Sequence, residues 1–353
     1  MDLMWTHAGR RFGAEDLVHW RRRKYRSLEA AIDDASIVVL GPHASAAFPQ
    51  ELKPFINPDL TLRRQLDYSD WLTGYLGRCW AEASDQVIFI ENPHSRVVLD
   101  PNRAPSDCPM ETLKLCFQRL REVGPNAPLG GVDFIRPVTF GGWPVLLEPK
   151  SAQGWEALEK AWSSTAALGA MEYLRLSAQI VEACARRCAS VQRRLVVFSL
   201  HDTMNHKMGP DGAINIERPV ADRLPFWVNL GNLGDPDGGA LPDSALSMDT
   251  GAARQMASTF LKALTAIEPG AAPEVTLNQP YKGARETQVF GASLAQAGLP
   301  SGSGAIQIEF RRESLLGSDA TALLMSAGGD WPPIDVVRLQ SIAKSLARHL
   351  TVS

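Results

Sequence analysis

Short β-branched runs alternate with longer stretches of helical periodicity along this chain, and no other feature constrains its fold as strongly. Strands are predicted at 36–40 (SIVVL), 86–90 (QVIFI), 195–200 (LVVFSL), 226–230 (FWVNL), 274–277 and 305–310 (AIQIEF). Helices are predicted over 62–83, 111–122, about 153 to 192, 251–267 and 334–350; the last carries Val336, Val337, Leu339, Ile342, Ala343 and Leu346 at the spacing of a helix laid across a sheet. Strands separated by helices cannot pair as hairpins, so the pattern predicts an α/β fold with a largely parallel or mixed sheet covered by helices. It continues from end to end without a flexible linker or internal repeat, so one domain is expected over 1–353, with 1–30 as an N-terminal extension. Two Pro- and Gly-rich segments, 101–142 and 204–249, are long enough to be active-site walls or lids rather than connectors.

Composition narrows the function. The 353 residues are 45% hydrophobic and 21% charged, enough to close a core without disulfides, and this excludes disordered, collagen-like and coiled-coil chains. With 36 Lys+Arg against 39 Asp+Glu, the chain carries no global field to hold a polyanion, so no nucleic-acid partner is expected. Five cysteines (Cys79, Cys108, Cys116, Cys184, Cys188) are odd in number and sparse, as suits a reducing compartment. Cys184 and Cys188, four apart on a helix, read as small core residues. The first twenty residues hold no continuous apolar run, and the basic cluster Arg21, Arg22, Arg23, Lys24 follows the mild hydrophobics instead of preceding them, unlike a signal peptide. No window approaches the ~18 apolar residues of a membrane helix, so a cytoplasmic protein without a membrane partner is expected.

Chemistry-bearing residues cluster at predicted strand ends. His43 lies just beyond SIVVL and His201 directly after LVVFSL, both on the edge where open α/β sheets bind ligands. Two imidazoles there, joined by one carboxylate, would make a catalytic zinc site with its fourth position left for water. The 62–83 helix offers Asp67 and Asp70, and spacing does not choose between them. In the last strand Ile306, Ile308 and Phe310 point one way and Gln307 and Glu309 the other; a glutamate on a covered sheet face needs a cation or hydrogen bonds, and its functional reading is a general base. The segment 95–103 (SRVVLDPNR) reads as a short strand ending in Asn102 and Arg103, a directional donor beside a planar fork suited to a carboxylate. No Gly-x-Ser-x-Gly elbow occurs, which disfavours a serine nucleophile.

In order and type these pieces resemble the N-formylglutamate amidohydrolase family, relatives of the zinc carboxypeptidases. Pro42-His43-Ala44-Ser45 with Phe48-Pro49 is similar to the family's Pro-His-Ser-Gly segment and its aromatic-Pro pair. Ser69-Asp70-Trp71 resembles its Thr-Asp-Trp, which selects Asp70. Ser95-Arg96 through Asp100, Asn102 and Arg103 resembles Ser-Arg-x-x-x-Asp-x-Asn-Arg. His201-Asp202-Thr203-Met204, Asn278-Gln279-Pro280-Tyr281-Lys282-Gly283-Ala284 and Gln307-Ile308-Glu309-Phe310-Arg311-Arg312 match three further motifs. The family's Ser-Gly is Ala44-Ser45 here, its serine after the second histidine is Asp202, and the second glycine of its pair is Ala284 followed by Arg285. None of these departures removes a ligand; they alter the surroundings of the substrate. His94 imitates the first motif in the wrong context, and His206 is a weaker alternative to His201.

The resemblance implies a three-layer, zinc-carboxypeptidase-like (phosphorylase/hydrolase-like) fold and a zinc amidohydrolase acting on a small N-acyl amino acid. One Zn2+ per chain is expected on His43, Asp70 and His201, with Glu309 as base for its water. Arg96 or Arg285 is expected at the oxyanion, and Asn102 and Arg103, with Tyr281 beside them, at the substrate carboxylate. A carboxypeptidase-like hydrolase and a non-catalytic binding member of the fold are the alternatives. The expected partner is a small carboxylate-bearing molecule; the sequence leaves the oligomeric state open.

Overall fold

The computed structural model of the chain describes residues 2–268, 270 and 272–352, with the side chains of 166 and 167 left aside. Among the described residues a seven-stranded sheet forms from β1 (Val18–His19), β2 (Ile37–Gly41), β3 (Val87–Glu91), β4 (Val196–Thr203), β5 (Trp227–Gly231), β6 (Glu274–Leu277) and β7 (Gly304–Arg311), in the order β6-β5-β7-β4-β2-β3-β1. Pairing is parallel except where β1 meets β3 and where β7 meets β5. All six predicted strands are present. Edge strand β1 was not anticipated, because two residues carry no readable alternation.

The side-chain alternation of a strand sends successive residues to opposite faces, and here both faces are dry. Ile37, Val39, Phe89, Phe198, Ile306, Ile308 and Phe310 pack on one side beneath α1 (Leu72–Ala83), α5 (Thr250–Thr265) and α7 (Val336–His349). Val38, Leu40, Ile88, Ile90, Val197 and Ala305 pack on the other beneath α4 (Ala170–Ser190) and α6 (Arg285–Ala295). A satellite core joins α2 (Pro109–Val123) and α3 (Ala152–Leu168) to the 97–99 and 129–146 stretches, so the first long loop is a packed wall. Cys184 and Cys188, both within α4, are buried as expected. No helix among the described residues is long and apolar enough to cross a membrane.

Several expectations need correction. The single helix predicted over 62–83 is two, Leu62–Asp67 and α1, broken around Asp70. The long helix of 153 to 192 breaks at Gly169 into α3 and α4. A Cβ at Gly169 would sit 2.3 Å from the His94 ring, so the break lets a buried side chain approach the backbone. The 95–103 segment is a chain of turns rather than a strand. In α7, Leu339, Ile342, Ala343 and Leu346 are buried, whereas Val336 and Val337 face solvent. The 204–249 stretch holds β5 and also a small hairpin, His206–Met208 against Ile214–Glu217. Helix α6 had no clear periodic signature and was not predicted.

Candidate metal centre and active-site cleft

Strand order places the two histidines. From β2 the chain moves to β3 on one side and later returns to β4 on the other, so the carboxyl ends of β2 and β4 flank the topological switch point, where a crevice opens. His43 follows β2 and His201 lies within β4, their ring centroids 4.9 Å apart. Asp70 enters from the break between helices. Its carbonyl is capped by the backbone N–H and the hydroxyl of Thr73, while Arg312 Nη2 donates to the preceding Ser69 carbonyl at 2.7 Å, which turns the Asp70 carboxylate inward.

The result is one carboxylate oxygen facing two imidazoles. Asp70 Oδ2 lies 3.1 Å from His43 Nδ1 and 3.0 Å from His201 Nδ1. Ligand atoms of the three residues all lie within 4.8 Å of one another, and all three side chains are buried. Four ligands at 2.0–2.1 Å around zinc stand roughly 3.3 Å apart along a tetrahedral edge, and the two oxygen–nitrogen separations of this set are close to that spacing. The far nitrogens are also engaged. His43 Nε2 meets Asp100 Oδ1 at 2.8 Å, and Asp100 Oδ2 accepts from Arg96 Nη2 at 2.6 Å and Nε at 3.1 Å. His201 Nε2 meets Ser199 Oγ at 2.9 Å, with Asn102 Nδ2 a neighbour at 3.2 Å. Metal-ligating histidines are held in this way through the nitrogen that does not ligate.

Electrostatics follow the geometry. Burial opposes charge on Asp70, but the two imidazoles outweigh it and hold its carboxyl well below the ordinary range. For His43, burial and Arg96 work against the cation, while Asp100 and Asp70 prevail and raise it. Glu309 is the parallel-register neighbour of His201 and faces the same cavity. Burial pushes its carboxyl up to about 7, with His201 opposing and Asp70 and Asp202 adding to the rise, and Gln307 Nε2 donates to its Oε2 at 3.0 Å. A carboxyl tuned toward neutrality beside a cavity can both take and return a proton.

The cleft has a volume of about 440 Å³, within the range of small-molecule sites. It brings His43, Asp70, His201 and Glu309 together with Arg96, Asn102, Arg103 and Tyr281. Arg103 Nε donates to Asp133 at 3.0 Å, and the Asn102 amide oxygen accepts from the Glu286 backbone N–H at 3.0 Å. Burial pushes the Tyr281 hydroxyl up to about 12, so it stays protonated. Lys207, Arg218 and Lys282 also line the cleft, and none has a carboxylate within ion-pair distance among the described residues.

Arg285, His94 and His206 lie outside the lining of this cleft. As the first residue of α6, Arg285 stands at half-burial, and it is the next residue, Glu286, that is buried toward the site. His94 is buried elsewhere, edge-on to Phe12, and takes no part. His206 pairs with Glu313 at 3.3 Å. Asp202, the departure beside His201, forms a buried ion pair with Arg312. Glu286 was missed because nothing in the local pattern distinguishes it from the acidic first turn of any helix; it accepts from Ser199 Oγ and from Tyr173 OH, each at 2.6 Å.

Comparison with known proteins gives the family. A model of the N-formylglutamate amidohydrolase family matches residues 35–316, a span that holds every residue of the cleft named above. The crystal structure of N-formylglutamate amidohydrolase from Ralstonia eutropha JMP134 superposes over 90% of this chain and 94% of its own, at 17% identity and a TM-score of 0.45. No curated protein matches the sequence. The family match covers most of the chain, which therefore belongs to the N-formylglutamate amidohydrolase family and is an amidohydrolase.

Proposed function

We propose that the chain is a zinc-dependent hydrolase of a small N-acyl amino acid, an N-formyl amino acid first among the candidates. The observation that carries the reading is the convergence of His43, Asp70 and His201 beside Glu309 in one cleft. The donor set and its spacing fit zinc, and the three residues would hold it. When bound, zinc supplies a Lewis acid that makes water acidic near neutral pH and polarises an amide carbonyl.

The protein's own groups do the rest. Glu309 takes the proton from the attacking water and returns it to the departing amine, with Gln307 fixing the rotamer of its carboxylate. Arg103 and Asn102 receive the carboxylate of the substrate and so align the scissile bond. Arg96 Nη1, left over from the pair with Asp100, is the donor placed to meet the oxyanion. Tyr281 lines the same cleft as a protonated hydroxyl. We further read the three-layer architecture as that of the zinc carboxypeptidases, because Asp100 stands behind His43 while Asn102 and Arg103 of the same turn line the cleft. The single-domain reading rests on cores that share one sheet.

The test is Glu309→Gln. Zinc content measured by elemental analysis should stay at the parent level while turnover of N-formyl amino acids drops by ~10²–10⁴-fold. Full activity in that variant removes Glu309 as the base. A panel of N-formyl, N-acetyl and N-carbamoyl amino acids, run against dipeptides, defines the acyl group and separates deacylation from peptide hydrolysis.

A further inference from the structure

The two histidines of the centre are held differently, and the difference assigns work to residues outside every motif. Behind His43 stands a carboxylate, Asp100, in direct contact with Nε2. Behind His201 stands a hydroxyl, Ser199, two residues earlier on β4 and therefore on the same face of the strand. Ser199 Oγ donates to Glu286 Oε2, and Tyr173 OH donates to the other oxygen of the same carboxylate. Ser199, Glu286 and Tyr173 are each under 5% exposed, so water does not compete for these bonds.

Counting protons fixes the direction of the chain. A serine hydroxyl has one proton to give and two lone pairs. The Glu286 carboxylate accepts the hydrogen bond from that hydroxyl, so Ser199 offers His201 only a lone pair. Nε2 of His201 must then carry the hydrogen, and Nδ1, which faces Asp70 Oδ2, must carry the lone pair. That is the tautomer a metal ligand requires. The Asn102 amide nitrogen lies 3.2 Å from Nε2, and with hydrogen on both atoms it is a neighbour of His201 rather than a bonding partner and is left for a ligand in the cleft, while the Glu286 backbone N–H holds its oxygen and fixes its orientation. One glutamate thus orients both the second histidine, through Ser199, and the amide of Asn102, through its own main chain.

We infer that Ser199 and Glu286 are positioning residues of the metal centre, a relay that sets the tautomer and aim of His201 as Asp100 does for His43. The inference rests on the reading of His43, Asp70 and His201 as a zinc site. It is tested with Ser199→Ala, Glu286→Gln, the double variant and Tyr173→Phe, each checked for folding by circular dichroism and thermal melting. Zinc affinity is measured by competition with a chromophoric chelator, and the visible spectrum is recorded with Co2+ in place of zinc. Ser199→Ala and Glu286→Gln should each weaken zinc binding by about 10–100-fold and shift the Co2+ bands. The double variant should be no weaker than the poorer single one, because the two residues act in series. Tyr173→Phe, which leaves the Ser199 link intact, should bind zinc close to the parent level.

Parent-level affinity and an unchanged Co2+ spectrum in both single variants overturn the inference, and so does a lowered melting temperature without any loss of affinity, which marks a purely structural role. A parent protein that takes up no zinc, with His201→Ala no different from it, overturns the reading of the site and the relay with it. A parent that binds zinc equally with both variants overturns the relay alone.

Discussion

His94 gives the chain a pH-dependent stability whose size can be worked out. Its side chain is 1% exposed, neither ring nitrogen has a hydrogen-bond partner among the described residues, and it packs against Phe12 and the backbone at Gly169. Burial therefore pushes its pKa down from 6.5 to about 4. The unfolded chain accepts this proton more readily than the folded one, so stability is complete above about 6.5 and declines as pH falls toward 4. Each pH unit between those limits costs up to about 1.4 kcal/mol, and the integrated loss between pH 7 and pH 5 is about 2 kcal/mol. Replacing His94 by Leu removes the titration and keeps an apolar side chain in the site. Urea unfolding of both proteins at pH 7 and pH 5 should show the parent losing about 2 kcal/mol more than His94→Leu. Titrations common to both proteins, those of the metal centre included, cancel in that difference. Equal losses would mean that the imidazole is solvated or already paired, and the argument from burial would fail.

Other consequences are open to measurement. Arg312→Met strands Asp202 in the interior and frees the Ser69 carbonyl that orients Asp70, so urea unfolding should show a loss of about 3–5 kcal/mol, partly restored by adding Asp202→Asn. Asp100→Asn removes the charge behind His43 and should weaken zinc binding by about 10–100-fold in chelator competition; an unchanged affinity would disconnect Asp100 from the centre. Saturation with zinc at 100 times its dissociation constant should stabilise the folded chain by about 2.7 kcal/mol over the chelator-treated protein, seen as a rise in melting temperature, and coincident melts would argue against a folded-state zinc site.

The parts of this molecule readable in advance were those governed by local periodicity. The alternation in β7 separated Glu309 from the core-facing Ile308 and Phe310, and the strand-end positions of His43 and His201 followed from the same pattern. What stayed hidden depends on partners far along the chain. The stretch around Tyr68–Trp71 continues a helical apolar spacing, and Arg312, 243 residues from Ser69, ties down the break through the carbonyls of Asp67 and Ser69. The break at Gly169 answers to His94, which lies far earlier in the chain. Glu286 and Ser199 are ordinary residues of a helix start and a strand; their partnership exists only after β4 and α6 have packed together. Resemblance of motifs supplied the choice of Asp70 that spacing left open, and it gave no sign of the glutamate behind His201.

Lys207, Arg218 and Lys282 give the cleft a polarity opposite to that of the molecule, whose formal charge is −3. At physiological ionic strength charges are screened over about 8 Å, so an approaching anion senses little of the overall deficit until it reaches the mouth, where low-dielectric walls concentrate the field of these three cations. Capture of a negatively charged molecule should therefore slow as salt is added, while a neutral ester or amide of the same size enters at a rate indifferent to salt. Discrimination by charge thus begins at the entrance, before any atom of the visitor has met the residues that would transform it.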